Sequence, residues 1–117
     1  MNVQVEEEIC LVVFEVAGTR YAADLTQVLR LDFFDESCSV GIPLGRPRSM
    51  SKCLMIDAGD DTVWCLAIDT LHGVRSVPVE QLRRLPAVAQ GGAISIGAWL
   101  DGSEAVLLVD LVAMTTR

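Results

Sequence analysis

Residues 9–16, ICLVVFEV, are followed by Ala17-Gly18-Thr19, a return through Tyr21-Ala22-Ala23-Asp24, and an apolar stretch from Val28 to Phe34. Residues 53–57, CLMID, are followed by Ala58-Gly59-Asp60-Asp61, a return through Val63–Ile68 (VWCLAI), then Asp69, then Leu71–Val77. Each passage reads strand, glycine turn, strand, Asp, strand. The runs are short, mix β-branched with aromatic residues and break at glycine, which is the pattern of strands and not of helices. Two similar all-β units in one short chain predict paired small barrels, an architecture that commonly serves as a binding platform.

Working outward, residues 26–31 fit either one helical turn or an irregular entry to a strand starting near Leu29. Residues 35–52, DESCSVGIPLGRPRSMSK, are rich in Pro, Gly and Ser and read as the linker between the halves. Pro78 stops the Leu71–Val77 strand. Val79–Leu85 (VEQLRRL) reads as a short helix and residues 86–92 as a loop. Ile94–Leu100 (ISIGAWL) reads as a strand, Asp101-Gly102 as a two-residue hairpin turn and Glu104–Asp110 as its partner strand. Leu111–Met114 closes the chain as a turn or short helix. The expected fold is all-β. It is a single domain, 1–117, with lobe-like repeats at about 9–34 and 53–77 and a final hairpin at 94–110.

The chain has 117 residues, 51% of them hydrophobic, and a net charge of −7. A chain of this size buries roughly 60–70% of its unfolded surface, enough for a core without covalent staples. The acidic balance, with Glu6-Glu7-Glu8 near the start, argues against nucleic acid and anionic membranes as main partners. No run of about 18 apolar residues is present, and no basic start precedes an apolar stretch, so neither direct membrane insertion nor a signal peptide is expected and the cytoplasm is the expected location. Cys10, Cys53 and Cys65 sit in apolar runs and read as core residues; Cys38 lies in the polar linker. Without C-x-x-C spacing, and with one histidine, zinc binding is not expected.

Catalytic signals are thin. Ile68-Asp69-Thr70 has the start of an aspartic-protease loop, but that chemistry needs a glycine next, and Leu71 stands there. It also needs a second carboxylate about 3 Å away, and Asp24-Leu25-Thr26 lacks the pattern too. A small acid hydrolase built on Asp24 and Asp69 is therefore the weakest reading; strand-end Asp residues commonly cap turns. His72 beside Gly73 has no nucleophile context and reads as a turn or surface histidine. Gly91-Gly92 lacks the Lys-Ser/Thr of a phosphate loop. Arg46, Arg48 and Lys52, and Arg83-Arg84, are small basic patches. No catalytic residue, cofactor or metal is expected.

Three stretches, 11–31 (LVVFEVAGTRYAADLTQVLRL), 52–86 (KCLMIDAGDDTVWCLAIDTLHGVRSVPVEQLRRLP) and 94–114 (ISIGAWLDGSEAVLLVDLVAM), together resemble the CheW-like domain family of bacterial chemosensory couplers. They cover roughly two-thirds of the chain. The resemblance implies two small β-barrels joined by a groove, and a non-enzymatic adaptor that binds the helical hairpin tip of a methyl-accepting chemoreceptor and the regulatory domain of a histidine kinase. It places a receptor-facing valine at Val28, with Arg30 and Leu31 beside it. The central family pattern is shortened: residues 35–52 carry only Ile42-Pro43-Leu44-Gly45 and Pro47 of it. That departure implies an accessory coupler with weak or no kinase binding. A full-length coupler would then supply the kinase link; the alternative is that residues 35–52, or a second copy of the chain in a homodimer, restore the missing strand edge. The runner-up is an interaction module of the same fold acting in polarity or regulation without a receptor.

Overall fold

The computed structural model describes residues 7–33, 44, 47–49, 52–59, 61–84, 95–102 and 104–115. Nine strands and one short helix follow in chain order: β1 (Glu8–Val16), β2 (Thr19–Asp24), β3 (Val28–Phe33), β4 (Lys52–Gly59), β5 (Thr62–Ile68), β6 (Thr70–Pro78), β7 (Leu82–Arg84), β8 (Ser95–Asp101), β9 (Glu104–Val109) and α1 (Leu111–Thr115). Single turns of 3₁₀ helix lie at Leu25–Gln27 and Val79–Gln81. The fold is all-β, as expected.

The strands form a six-stranded sheet, β6-β1-β2-β9-β8-β7, and a three-stranded sheet, β3-β4-β5. The repeats seen in the sequence do not map one to each sheet. The first repeat leaves β1 and β2 in the large sheet and sends β3 to the small one; the second leaves β4 and β5 in the small sheet and returns β6 to the edge of β1. The large sheet curls. Its outermost strands, β6 and β7, are consecutive in the chain and joined only by the Val79–Gln81 turn. All six of its strands contribute to one apolar cluster: Leu11 and Val13, Ala22, Val77, Trp99, Val106 and Leu108, with Leu82 against it. Gln81 accepts a hydrogen bond from Trp99 Nε1 (3.2 Å) and ties the closing turn to β8.

The opposite face of β1 and β2 belongs to a second core. Val12, Phe14 and Val16 of β1 and Tyr21 and Ala23 of β2 pack with Leu54 and Ile56 of β4, Leu66 and Ile68 of β5, and Val109 and Leu111. Phe14 is fully buried and stacks on Tyr21, its cross-strand partner, with ring centroids 5.9 Å apart. This explains the unbroken run Leu11-Val12-Val13-Phe14: odd positions face one core and even positions the other. β4 and β5 are similar, with Cys53–Ile56 and Cys65–Ile68 each buried without a break. Every buried residue among those described is apolar or a cysteine.

The β1–β2 turn is a two-residue connection, Ala17-Gly18, with φ of 52° and 85°. Positive φ at both central residues matches the right-handed twist of a hairpin and favours glycine at the second.

Four expectations need correction. Residues 79–84 do not form the expected helix: after the 3₁₀ turn, Leu82–Arg84 pairs with β8 instead, because β8 would otherwise keep an open edge. β3 begins at Val28, one residue earlier than expected. Asp101 is not in the hairpin turn but pairs with Glu104, while Gly102 lies in the turn. Cys10 is exposed, since the core that even-numbered β1 residues face begins at Val12. Cys53 and Cys65 are buried, with Met55 Sδ 3.7 Å and 3.4 Å from their Sγ atoms. Cys38, Gly91-Gly92, Arg46 and most of the linker lie outside the described residues.

Because Phe14 is a fully buried aromatic in the core between the two sheets, Phe14→Ala is expected to lower unfolding free energy by about 3–5 kcal/mol. A urea titration with unchanged slope checks this; a loss below about 1 kcal/mol would show that the sheets hold without it.

Candidate partner-binding face

The chain passes between the sheets twice in the described structure, and an aspartate governs each passage. At the first, Asp24 Oδ1 accepts hydrogen bonds from Thr26 N (2.9 Å) and Thr26 Oγ1 (2.8 Å), which ends β2 and winds the Leu25–Gln27 turn. Gln27 then staples that turn to the C-terminal helix. Its Nε2 donates to Asp110 Oδ1 (2.9 Å) and its Oε1 accepts from Leu111 N (2.9 Å). Asp110 Oδ1 also accepts from Ala113 N (3.1 Å), capping the same helix.

The stapled turn aims β3. Val28 is half-buried and packs on the core shared with Leu54 and Ile56. From Leu29 onward every β3 residue is exposed. Leu29 is 51% exposed, Leu31 43% and Phe33 81%, a high proportion for large apolar side chains on one six-residue strand. β3 pairs with β4 on one side, and among the described residues no strand pairs with its other side. A bulge at Leu29 shifts the register, after which Arg30 lies opposite Met55, Leu31 opposite Leu54, Asp32 opposite Cys53 and Phe33 opposite Lys52. Leu31 and Phe33 therefore share one face, and Arg30 and Asp32 share the other. Arg30 Nε lies 3.3 Å from Asp32 Oδ2. A shallow hollow of about 210 Å³ opens among Leu31, Asp32, Phe33 and Lys52.

The three residues expected at a partner surface thus fall on one strand. Arg30 and Leu31 are on the open surface, while Val28 divides its area between surface and core. Leu29 and Phe33 were not singled out within the apolar stretch Val28–Phe34. The alternation Leu29-x-Leu31-x-Phe33 was the available signal, but alternation alone does not say which face is covered.

The second passage is made at Asp69, between β5 and β6. Its Oδ2 accepts from Ala17 N (2.7 Å) and its Oδ1 from Ser49 N, while its own N–H donates to Glu15 O (2.9 Å). The main-chain amide of Ser49, with those of Ala17 and Arg48 and the Arg48 guanidinium, holds the carboxyl below its ordinary value of 3.8 against the opposing effect of partial burial. Asp24 and Asp69 are each committed to backbone amides at separate passages, so they do not form a proton-sharing pair. His72 sits in the bulge of β6, with Nε2 3.4 Å from Glu15 Oε1. Among the described residues no cluster of three His, Cys, Asp or Glu side chains is placed to hold a metal, and no helix is long and apolar enough to cross a membrane.

A carboxyl whose pKa folding lowers stabilises the fold above its unfolded pKa and loses that contribution as pH falls through the folded value. Asp69→Asn is therefore expected to melt lower than wild type at neutral pH. The gap should narrow once pH drops below about 4. Thermal melts of both proteins across that range test it; a gap independent of pH would show that the carboxylate charge is not the stabilising feature.

No family model matches the chain. Among curated proteins it is 36% identical over 102 residues to the Frizzy aggregation protein FrzB of Myxococcus xanthus, covering 87% of this chain and 90% of that one. Among solved structures it superposes on the scaffolding protein TtCheW from Thermoanaerobacter tengcongensis with a TM-score of 0.66, at 15% identity and 90% coverage of both chains. With that degree of identity to FrzB and this fold, the chain belongs to the CheW-like family.

Proposed function

We propose that the chain is a non-enzymatic adaptor of a bacterial chemosensory pathway of the chemotaxis or motility kind. It links a chemoreceptor to other array proteins and binds the histidine kinase weakly or not at all. Its relatives support the adaptor role: one is a Frizzy aggregation protein and the other is a scaffolding protein. The observation that carries the receptor reading is the open β3 face, where Leu31 and Phe33 stand exposed beside half-buried Val28. A receptor tip is an antiparallel pair of helices, and helices dock by laying apolar side chains into apolar hollows. Arg30 at the rim offers a charge for orientation. The small sheet's three strands are a narrow base for a second specific interface, which needs about 800 Å² per partner. This supports a division of labour in which a full-length coupler holds the kinase.

The test is titration of the purified protein with a chemoreceptor cytoplasmic domain and, separately, with the kinase regulatory domain. Receptor binding is expected, with Leu31→Asp weakening it about tenfold or more. The variant's melting temperature should stay close to wild type because Leu31 is exposed. Absence of receptor binding would favour an interaction module without a receptor. Micromolar or tighter direct binding to the kinase domain would overturn the division of labour.

A further inference from the structure

The geometry points to a second partner for β3: another copy of this chain, added edge to edge as an antiparallel strand about a two-fold axis at Leu31. The inference uses the outer backbone edge of β3, which no strand among the described residues pairs with, and does not rest on the receptor reading.

An edge strand presents unpaired N–H and C=O groups, and soluble proteins ordinarily blunt such edges with charge, a bulge or proline. β3 has a bulge at one end and two charges, Arg30 and Asp32. These charges are of opposite sign and flank Leu31 symmetrically. Against a strand without complementary charges they repel or go unmatched; against a second β3 they match. In antiparallel pairing centred on Leu31, Arg30 of each copy lies opposite Asp32 of the other, and Leu31 opposes Leu31. Leu29 falls opposite Phe33 of the partner copy. Opposite charges and paired apolar side chains directly across a ladder are stabilising, and like charges there are destabilising.

The register is specified as well. A slip of one residue sets a charge against Leu31 and turns the apolar face over. A slip of two sets Arg30 against Arg30 or Asp32 against Asp32. Parallel pairing in register does both. Only the arrangement centred on Leu31 satisfies every pair, and it is isologous, so it closes as a dimer and does not extend into a fibre. The product is one continuous sheet, β5-β4-β3 joined to β3-β4-β5 of the copy. The exposed side chains of Leu31 and Phe33 gain cover from their counterparts. The net charge of −7 on each chain opposes association in general, so any self-pairing depends on this local match.

The experiment is analytical ultracentrifugation of the purified full chain without receptor, over a concentration series into the high micromolar range. Wild type is expected to show a monomer–dimer equilibrium. Arg30→Asp alone and Asp32→Arg alone each place like charges across the strand pair, and each should weaken dimerisation by about tenfold or more. An equimolar mixture of the two variants places Asp opposite Arg at every charged pair and should restore a dimer. The double swap Arg30→Asp with Asp32→Arg should restore it in one chain. Both residues are exposed, so all variants should melt as wild type does. Wild type monomeric throughout, single variants dimerising as well as wild type, or a mixture that stays monomeric would each overturn the proposal. A receptor-binding measurement on the same proteins reports separately on the adaptor reading, because a monomeric chain that binds receptor would refute the dimer alone.

Discussion

Strand β1 has no solvent face along its middle. Leu11 and Val13 point into the curled six-stranded sheet, and Val12, Phe14 and Val16 point into the core between the sheets. Burial of apolar area stabilises at roughly 25 cal/mol per Å², and here one strand contributes to two cores at once. Everything else is arranged around this. β2 pairs with β1 from Leu11 to Val16 and carries the same division, Ala22 to one side and Tyr21 and Ala23 to the other. β6 must return from the small sheet to cover the second edge of β1. The two sheets cannot separate without exposing one face of β1, which couples the two halves of the repeated pattern.

This sharing has a consequence for the surface. The first repeat gives its third strand to the small sheet, and that strand extends beyond what the core covers. Val28 still reaches the core; Leu29, Leu31 and Phe33 do not. The Asp24 cap and the Gln27 staple hold the strand in position from its base. β3 is therefore fixed at its base and, among the described residues, has an open outer edge, with apolar side chains on one face and a charge pair on the other.

The acidic residues illustrate how like sequence signals acquire different uses. Asp24 and Asp69 both follow a strand, and both satisfy main-chain amides where the chain changes sheets. Asp69 does so across a long sequence separation, reaching Ala17 and Ser49 together. A carboxylate accepting two amide hydrogen bonds is held ionised and is poorly suited to proton transfer near neutral pH. The arrangement accounts for the Ile68-Asp69-Thr70 sequence on structural grounds.

Strand type, glycine turns and the all-β class were legible in the sequence because they follow from local physics: period-two or continuous apolar runs, β-branched residues and positive-φ turn positions. The resemblance carried by residues 11–31, 52–86 and 94–114 named the family from order alone. The resemblance pointed to Val28, Arg30 and Leu31, and the structure sets all three on β3, with Val28 turned partly into the core. What the sequence could not carry was which apolar residues stay uncovered. Cys10 lies one position before Leu11 in the same run yet is exposed, and Phe33 is as apolar as Phe14 yet stands in solvent. Hydrophobicity is a property of the residue, whereas burial depends on whether another strand arrives to pack against it. Only the tertiary structure decided that β6 and β9 flank β1 and β2, that Leu82–Arg84 joins β8, and that, among the described residues, no strand pairs with the outer edge of β3.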